Sequence, residues 1–115
     1  MTTTKGVTFF EISGPDADAL RRFYGDGLGL TLTDPIDGYT MAPAGDGDAV
    51  DGGIWSGPDA WAVPFVWVDD LDAALARVED AGGKVVVPPF DHGPTRAAHV
   101  LDPAGNRVGV FTPRP

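Results

Sequence analysis

The chain has 115 residues, which is enough for one domain with a modest core and too few for two ordinary domains. Seventeen acidic residues against eight basic ones give a formal net charge of -9, and we expect no nucleic-acid partner because such a surface repels phosphate backbones. Without cysteine there is no thiolate nucleophile, disulfide or zinc–thiolate site. We find neither a signal-peptide pattern nor an apolar run of the roughly 20 residues that span a membrane, and expect a soluble, cytoplasmic protein without a membrane partner.

The first half of the chain predicts a strand, a helix and three further strands. Residues 7–13 are rich in aromatic and β-branched side chains, and the turn at residues 14–16 leads into a helix. On that helix we expect one shared face, formed by Ala17, Leu20, Phe23 and Tyr24. The three strands that follow are predicted at residues 30–33, 38–42 and 50–55.

The second half repeats this order. A strand is predicted at residues 62–68, followed by a helix whose apolar residues recur at i, i+3, i+4 and i+7: Leu71, Ala74, Leu75 and Val78. The last three strands are predicted at residues 84–87, ended by Pro88 and Pro89, and at residues 97–101 and 106–111, which form a hairpin.

An internal repeat follows from these two halves. A shift of 54 residues overlays the apolar helix positions Ala17, Leu20 and Tyr24 on Leu71, Ala74 and Val78. We therefore predict a single domain over residues 1–115, with module one at 5–56, a linker at 57–60 and module two at 61–113. Because each half is too small to fold alone, we expect the halves to share a core.

Several motifs resemble those of the glyoxalase/bleomycin-resistance proteins, the vicinal oxygen chelate (VOC) superfamily. They are EISGPDADALRRFYGDGLGL at residues 11–30, VDDLD at 68–72, AGGKV at 81–85 and DPAGN at 102–106. Trp61 with Pro88 and Pro89 is most similar to the glyoxalase-like branch of actinobacteria. The resemblance implies an α+β fold of two tandem βαβββ modules, whose curled mixed sheet surrounds a cleft, and pairing of chains into a homodimer.

The resemblance also implies where a metal ion would be held. Many members bind a divalent metal with His and Glu, which suit iron, manganese, nickel and zinc. Those positions fall on Phe9, on Val63 or Pro64, and on Gly109, none of which carries a ligating side chain. We therefore expect no metal and no other cofactor, although Glu11, His92 and His99 leave an atypical metal site open.

Strand alternation predicts which side chains face the cleft. Aromatic walls with few polar groups are typical of small-molecule pockets, and a flat aromatic ligand would stack there. The same rings would also suit a filled cleft or a dimer interface. The predicted ligand-binding residues are Phe9, Glu11, Tyr39, Trp55, Phe65, Trp67 and His99.

Glu11 and His99 are the candidate catalytic residues. As a structural residue, Glu11 would pair with an arginine or accept backbone hydrogen bonds. As a functional one, it would be a partly desolvated carboxylate with a raised pKa, able to act as a base or to accept a hydrogen bond from a ligand's hydroxyl or amine. Its possible helpers are Tyr24, Tyr39, His99 and Arg96.

The leading hypothesis is a metal-independent protein that binds a hydrophobic or aromatic metabolite or antibiotic, as the bleomycin-resistance members do by binding alone. One alternative is a metal-free isomerase, cyclase or lyase that uses Glu11 as acid and base. A second is a glyoxalase-like or dioxygenase-like metalloenzyme with an atypical site, and a third is a structural module whose cleft is a dimer interface. The sequence does not decide whether the chain is an enzyme.

Overall fold

A computed structural model of the chain describes residues 4–115. These residues form two units: the N-unit is Phe9–Val63, and the C-unit is Pro64–Pro115 together with residues 4–8. The predicted α+β class is confirmed, with strands that pair both parallel and antiparallel. In chain order the elements are β1 (Thr4–Gly14), α1 (Ala17–Arg21), β2 (Tyr39–Ala42), β3 (Asp51–Ser56), β4 (Trp61–Val68), α2 (Leu71–Asp80), β5 (Lys84–His92), β6 (Thr95–Leu101) and β7 (Arg107–Pro113).

In the N-unit the strand order is β2-β3-β1, with β3 parallel to β1 and antiparallel to β2. The helix α1 begins after Asp16, whose carboxylate accepts a hydrogen bond from the Ala19 backbone N–H, and it continues as π-helical turns over Arg22–Gly27. The π-helical turns change the helical period. Phe23 is 57% exposed, whereas the other three residues predicted on its face, Ala17, Leu20 and Tyr24, are half-buried.

The predicted strand at residues 30–33 is also wrong. This stretch runs near β2, where the Thr33 N–H donates to the Met41 carbonyl at 2.9 Å. In return, the Met41 N–H donates to the Thr33 side-chain hydroxyl at 3.0 Å rather than to a backbone carbonyl. The side chain thus takes the place of a ladder hydrogen bond, and a regular strand does not form.

In the C-unit the strand order is β4-β7-β6-β5, with β4 parallel to β7 and the other pairs antiparallel. Asp70 caps α2 by accepting a hydrogen bond from the Ala73 N–H. Three of the four residues of the predicted stripe, Leu71, Ala74 and Leu75, are buried, and Val78 is half-buried against them. The core they form with the sheet also contains Val68, Ala98, Val100 and Val110.

The prediction that Pro88 and Pro89 end β5 is wrong, because the strand continues to His92. Its pairing with β6 shifts register between Val85 and Val87 and again between Val87 and Phe90. Proline is tolerated at such bulges and on outermost strands, where the ladder needs no N–H from that residue. The extension brings Phe90 and His92 into the sheet.

The hairpin between β6 and β7 is held by Asp102. Its carboxylate accepts hydrogen bonds from the backbone N–H of Ala104 and from the backbone and side-chain N–H groups of Asn106. These hydrogen bonds, chiefly those from Asn106, hold the pKa of the Asp102 carboxyl below its usual value. The DPAGN motif therefore has a structural role, since it fixes the register in which His99 pairs with Gly109.

Candidate functional site

Glu11 is a buried carboxylate in the middle of β1. It pairs with Gly53 of β3 and is 5% exposed. The hydroxyl of Tyr39, the first residue of β2, donates a hydrogen bond to Glu11 Oε2 at 3.0 Å. Of the four possible helpers of Glu11 predicted from the sequence, Tyr39 is the one whose hydrogen bond to Glu11 the structure shows.

Gly53 makes this hydrogen bond possible. It lies on β3, between the strands that carry Glu11 and Tyr39. A Cβ at Gly53 would overlap the hydroxyl end of the Tyr39 ring. The missing side chain lets the phenol lie across β3 and reach Glu11.

Tyr39 is a phenol held in its neutral form. Burial is the largest cause of its raised pKa, and the negative charge of Glu11 and the hydrogen bond to that carboxylate raise it further. Tyr39 therefore remains a proton donor to Glu11 across the whole physiological pH range.

The two other predicted site residues of the N-unit are Phe9 and Trp55, both half-buried. The register places Glu11 opposite Gly53 and Ser13 opposite Trp55, so alternation puts Phe9 and Trp55 on the same face as Glu11. Phe10 lies on the opposite face, where its ring covers Gly52. The predicted alternation therefore agrees with the register of β1.

In the C-unit, the predicted residue Phe65 forms the centre of a cluster of rings. It is 2% exposed and pairs with Gly109, where a Cβ would overlap its ring. His99 and Phe111 meet it edge-on at centroid distances of 5.6 and 5.8 Å, and His92 is stacked at 6.5 Å. Phe90 lies 6.1 Å from the His92 ring and 6.0 Å from the His99 ring.

Trp67 belongs to the same face of the sheet, because it pairs with Phe111 two residues beyond Phe65. It is half-buried, and the Lys5 ammonium lies 4.5 Å from its ring centroid. We call this surface the aromatic face, which comprises Phe65, Trp67, Phe90, His92, His99 and Phe111.

His99 is neutral and its tautomer is fixed. It is 5% exposed, and Arg107 Nη1 lies 2.9 Å from its Nδ1. Because a guanidinium only donates, Nδ1 is the acceptor and the ring proton is on Nε2. Burial, followed by the charge of Arg107 and by His92, lowers the pKa of His99 to about 4.

Three residues in or beside this cluster were not predicted as site residues: Phe90, Phe111 and Arg107. His92 was considered only as a ligand of an atypical metal site. Two signals were available. Phe90 and His92 alternate, as strand residues do, but the preceding prolines placed them in a predicted loop. Phe111 follows Gly109 by two residues and therefore shares its face.

The residues at the family's metal positions do not fit a metal ion. Phe9 and Val63 carry no donor atom, and the space beside Gly109 is filled by the Phe65 ring. Within residues 4–115, no three His, Asp or Glu side chains are grouped so that they could hold a metal.

Among the residues that the structure describes, no helix has the length and hydropathy needed to cross a membrane.

Comparison with known sequences identifies the family. A sequence model of the glyoxalase/bleomycin resistance protein/dioxygenase superfamily matches residues 6–110. The chain is 33% identical over 113 residues to the putative glyoxylase CFP32 of Mycobacterium tuberculosis, covering 88% of this chain and 43% of that protein. It is 32% identical over 124 residues to the anthracycline biosynthesis protein DnrV of Streptomyces peucetius, covering 90% and 45%. The chain thus spans less than half the length of these curated relatives.

Solved structures agree on the fold. The Mn(II)-bound glyoxalase from Novosphingobium aromaticivorans superposes with a TM-score of 0.72 at 21% identity, covering 97% of this chain and 40% of that one. Methylmalonyl-CoA epimerase from Mycobacterium tuberculosis gives 0.69 at 20% identity, covering 97% and 90%. At such identities the likeness extends to the fold alone. Together with the sequence match over residues 6–110, it shows that the chain belongs to the glyoxalase/bleomycin resistance protein/dioxygenase superfamily.

Proposed function

We propose that this protein binds a ring-containing hydrophobic small molecule on the aromatic face, without a metal ion. The observation that carries the proposal is the set of rings packed around Phe65. Phe65 and His99 are buried and form the base of the cluster, whereas Trp67, Phe90, His92 and Phe111 are half-buried. These four rings are the ones that a ligand would touch.

The chemistry of the aromatic face favours a flat, uncharged ligand. Ring pairs with centroids 4.5–7 Å apart contribute about 0.5–1.5 kcal/mol beyond the burial of their area. His99 adds a polar group without adding a charge, since it is neutral above a pKa of about 4. A planar ring system would therefore gain stacking energy without having to neutralise a charged histidine.

The same residues support the proposal that no metal ion is needed. In the resembling enzymes a carboxylate at the position of Gly109 helps to hold the metal, whereas here the Phe65 ring takes up that space. The name of DnrV adds support for the ligand class, because anthracyclines are fused-ring aromatic molecules. Sequestration or transport of such a molecule, as in the bleomycin-resistance members, requires no bond to be made or broken.

The test is titration with doxorubicinone, the uncharged ring system of an anthracycline without its amino sugar, followed by its fluorescence, with and without EDTA. We expect saturable binding that the chelator leaves unchanged. Phe111→Ala and Trp67→Ala should each weaken binding by about tenfold, since each removes one half-buried ring from the face. Tyr24→Phe, which alters an aromatic residue of the N-unit, is the matched control.

Two results would refute the proposal. One is an affinity that falls when EDTA is added, which would mean that a metal holds the ligand. The other is an affinity that neither Phe111→Ala nor Trp67→Ala alters, which would mean that the ligand binds elsewhere.

The Glu11–Tyr39 hydrogen bond favours a second candidate function, a metal-free isomerase, cyclase or lyase. A buried carboxylate beside a neutral phenol offers a base and an acid within 3.0 Å of each other. Glu11→Gln should then abolish turnover and retain binding. Unchanged turnover in this variant would remove Glu11 from the mechanism.

We also propose that the protein is a homodimer, because large apolar side chains of the N-unit remain exposed. Phe23, Leu28 and Ile36 are 57%, 61% and 74% exposed. Native mass spectrometry should give twice the chain mass, and Leu28→Asp with Ile36→Asp should give the single-chain mass. A wild-type protein of single-chain mass would contradict the proposal.

A further inference from the structure

The Tyr39 side chain is itself a phenol docked on a buried carboxylate. Its hydroxyl lies 3.0 Å from Glu11 Oε2, and its ring lies across Gly53. The site therefore consists of a carboxylate at one end and a glycine floor beneath the ring. This arrangement is complementary to a phenol from any source, not only to one attached to the chain.

Tyr39 is placed so that its side chain can leave Glu11 while the sheet stays intact. It is half-buried, and it is the first residue of β2, the outermost strand of the N-unit sheet. The turn before it contains Asp37 and Gly38 at φ values of 51° and 79°. Because β2 is held to β3 through its backbone, rotation about the Tyr39 side-chain bonds breaks no ladder hydrogen bond.

The vacated space would favour a hydroxyl over a purely apolar ring. Glu11 is 5% exposed, and a buried carboxylate that loses a hydrogen bond bears a desolvation penalty. A ring without a hydroxyl would leave that hydrogen bond unmade, whereas a phenol would replace it. The ligand's hydroxyl would bind in its neutral form, since an anion would meet the charge of Glu11.

We propose that Tyr39 occupies the place of a ligand's phenolic hydroxyl, and that the N-unit binds neutral phenols whose hydroxyl displaces Tyr39 and donates to Glu11. The proposal goes beyond the function proposed above, because it uses only residues of the N-unit and names a different recognition group. Ligand binding on the aromatic face and phenol binding at Glu11 are tested with different probes, so either result can be negative without affecting the other.

The probe is p-cresol, which has the ring and hydroxyl of a tyrosine side chain, and the control probe is toluene, which lacks the hydroxyl. Binding is measured by calorimetry. We expect p-cresol to bind the wild-type protein at least about tenfold more tightly than toluene does, because only p-cresol restores the hydrogen bond to Glu11. Glu11→Met, which removes the acceptor oxygens, should remove most of this preference.

Tyr39→Phe separates displacement from a merely structural role. The variant keeps the ring but loses the hydroxyl that competes for Glu11, so p-cresol should bind several-fold more tightly than to the wild type. Tyr24→Phe is the matched control and should leave the affinity unchanged. An affinity that is lower or unchanged in Tyr39→Phe would overturn the proposal, as would equal binding of p-cresol and toluene to the wild type.

A second measurement covers the case in which Tyr39→Phe does not fold. In the wild type with isotope-labelled tyrosine, saturation with p-cresol should shift the Tyr39 Cζ resonance, because its hydroxyl no longer donates to Glu11. The Tyr24 resonance should stay in place. An unshifted Tyr39 resonance at saturation would show that the phenol binds without displacing it.

Discussion

In both units a glycine on one strand pairs with a larger residue on a parallel strand: Gly53 with Glu11 in the N-unit, and Gly109 with Phe65 in the C-unit. Each is a direct pairing between parallel strands, and Glu11 and Phe65 are 54 residues apart, the repeat distance of the sequence. In both pairs a ring lies over the glycine. In the N-unit the ring belongs to Tyr39 and serves a carboxylate, whereas in the C-unit it belongs to Phe65 and serves a cluster of rings.

In both units the glycine leaves room for a ring, and the residue paired with the glycine determines whether that ring donates a hydrogen bond. A glycine opposite a large side chain leaves room for a ring in either unit. Where β1 carries Glu11, the ring supplies a hydrogen-bond donor to a buried carboxylate. Where β4 carries Phe65, no donor is needed.

Removing the ring should affect the C-unit most. Phe65→Ala deletes a ring that is 2% exposed and packed against three others, so we expect a loss of about 3–5 kcal/mol of unfolding free energy. Urea denaturation measures it. Tyr39→Ala is the matched change in the N-unit and should cost less, because Tyr39 is half-buried. Equal losses in the two variants would contradict the expectation that the Phe65 ring contributes more stability than the Tyr39 ring.

Filling the space over the glycine is the next test. Gly53→Ala should cost about 1–3 kcal/mol because its Cβ overlaps the Tyr39 phenol. In a Tyr39→Ala background the same substitution should cost much less, since the overlapping group is gone. This double-mutant cycle, followed by urea denaturation, should give a coupling above about 1 kcal/mol. Additive effects would mean that Tyr39 does not occupy the space.

Acid should weaken the C-unit through His99. Its pKa is near 4 in the folded protein and 6.5 when unperturbed, so the unfolded chain binds the proton more readily. The stability from neutral His99 is complete above pH 6.5 and is lost as the pH falls toward 4, by about 1–2 kcal/mol after allowance for solvent screening. Urea midpoints across this range should fall less in His99→Gln than in the wild type. Parallel curves would exclude His99 as the source.

Alkali should reveal the smallest effect, in the N-unit. Because the pKa of Tyr39 is raised in the folded protein, the stability that its neutral form contributes is complete below the unperturbed value of 10 and declines as the pH rises above it. In Tyr24→Phe, Tyr39 is the only tyrosine, so tyrosinate absorbance reports it alone. The absorbance should rise only together with loss of the fold. A rise near pH 10 in folded protein would contradict the buried hydrogen bond with Glu11.

The sequence predicted what depends on local periodicity. The α2 stripe was correct because Leu71, Ala74 and Leu75 recur at helical spacing against one sheet. The alternation of β1 was correct because each strand residue faces the side opposite to its neighbours. One error arose beside β2, where the Thr33 hydroxyl accepts a hydrogen bond that a backbone carbonyl would accept in a regular strand. Another arose in β5, where register shifts allow prolines within the strand.

The sequence predicted which residues belong to the site better than it predicted the contacts between their side chains. Glu11, Phe65 and His99 were named from alternation and composition, but the reach of Tyr39 across β3 depends on Gly53, which carries no side chain to signal it. The partner of His99, Arg107, comes from a neighbouring strand through the register of the hairpin. Such contacts are set by pairing between strands, which no single stretch of sequence reveals.

The Phe65 ring over Gly109 also limits which substitutions the C-unit can accept at positions 65 and 109. A glutamate at position 109 would need the space that the Phe65 ring fills, so this substitution alone would destabilise the fold. A smaller residue at position 65 alone would open a cavity in the cluster. Each single substitution therefore lowers stability, and the packing of Phe65 over Gly109 opposes the introduction of a carboxylate ligand on β7.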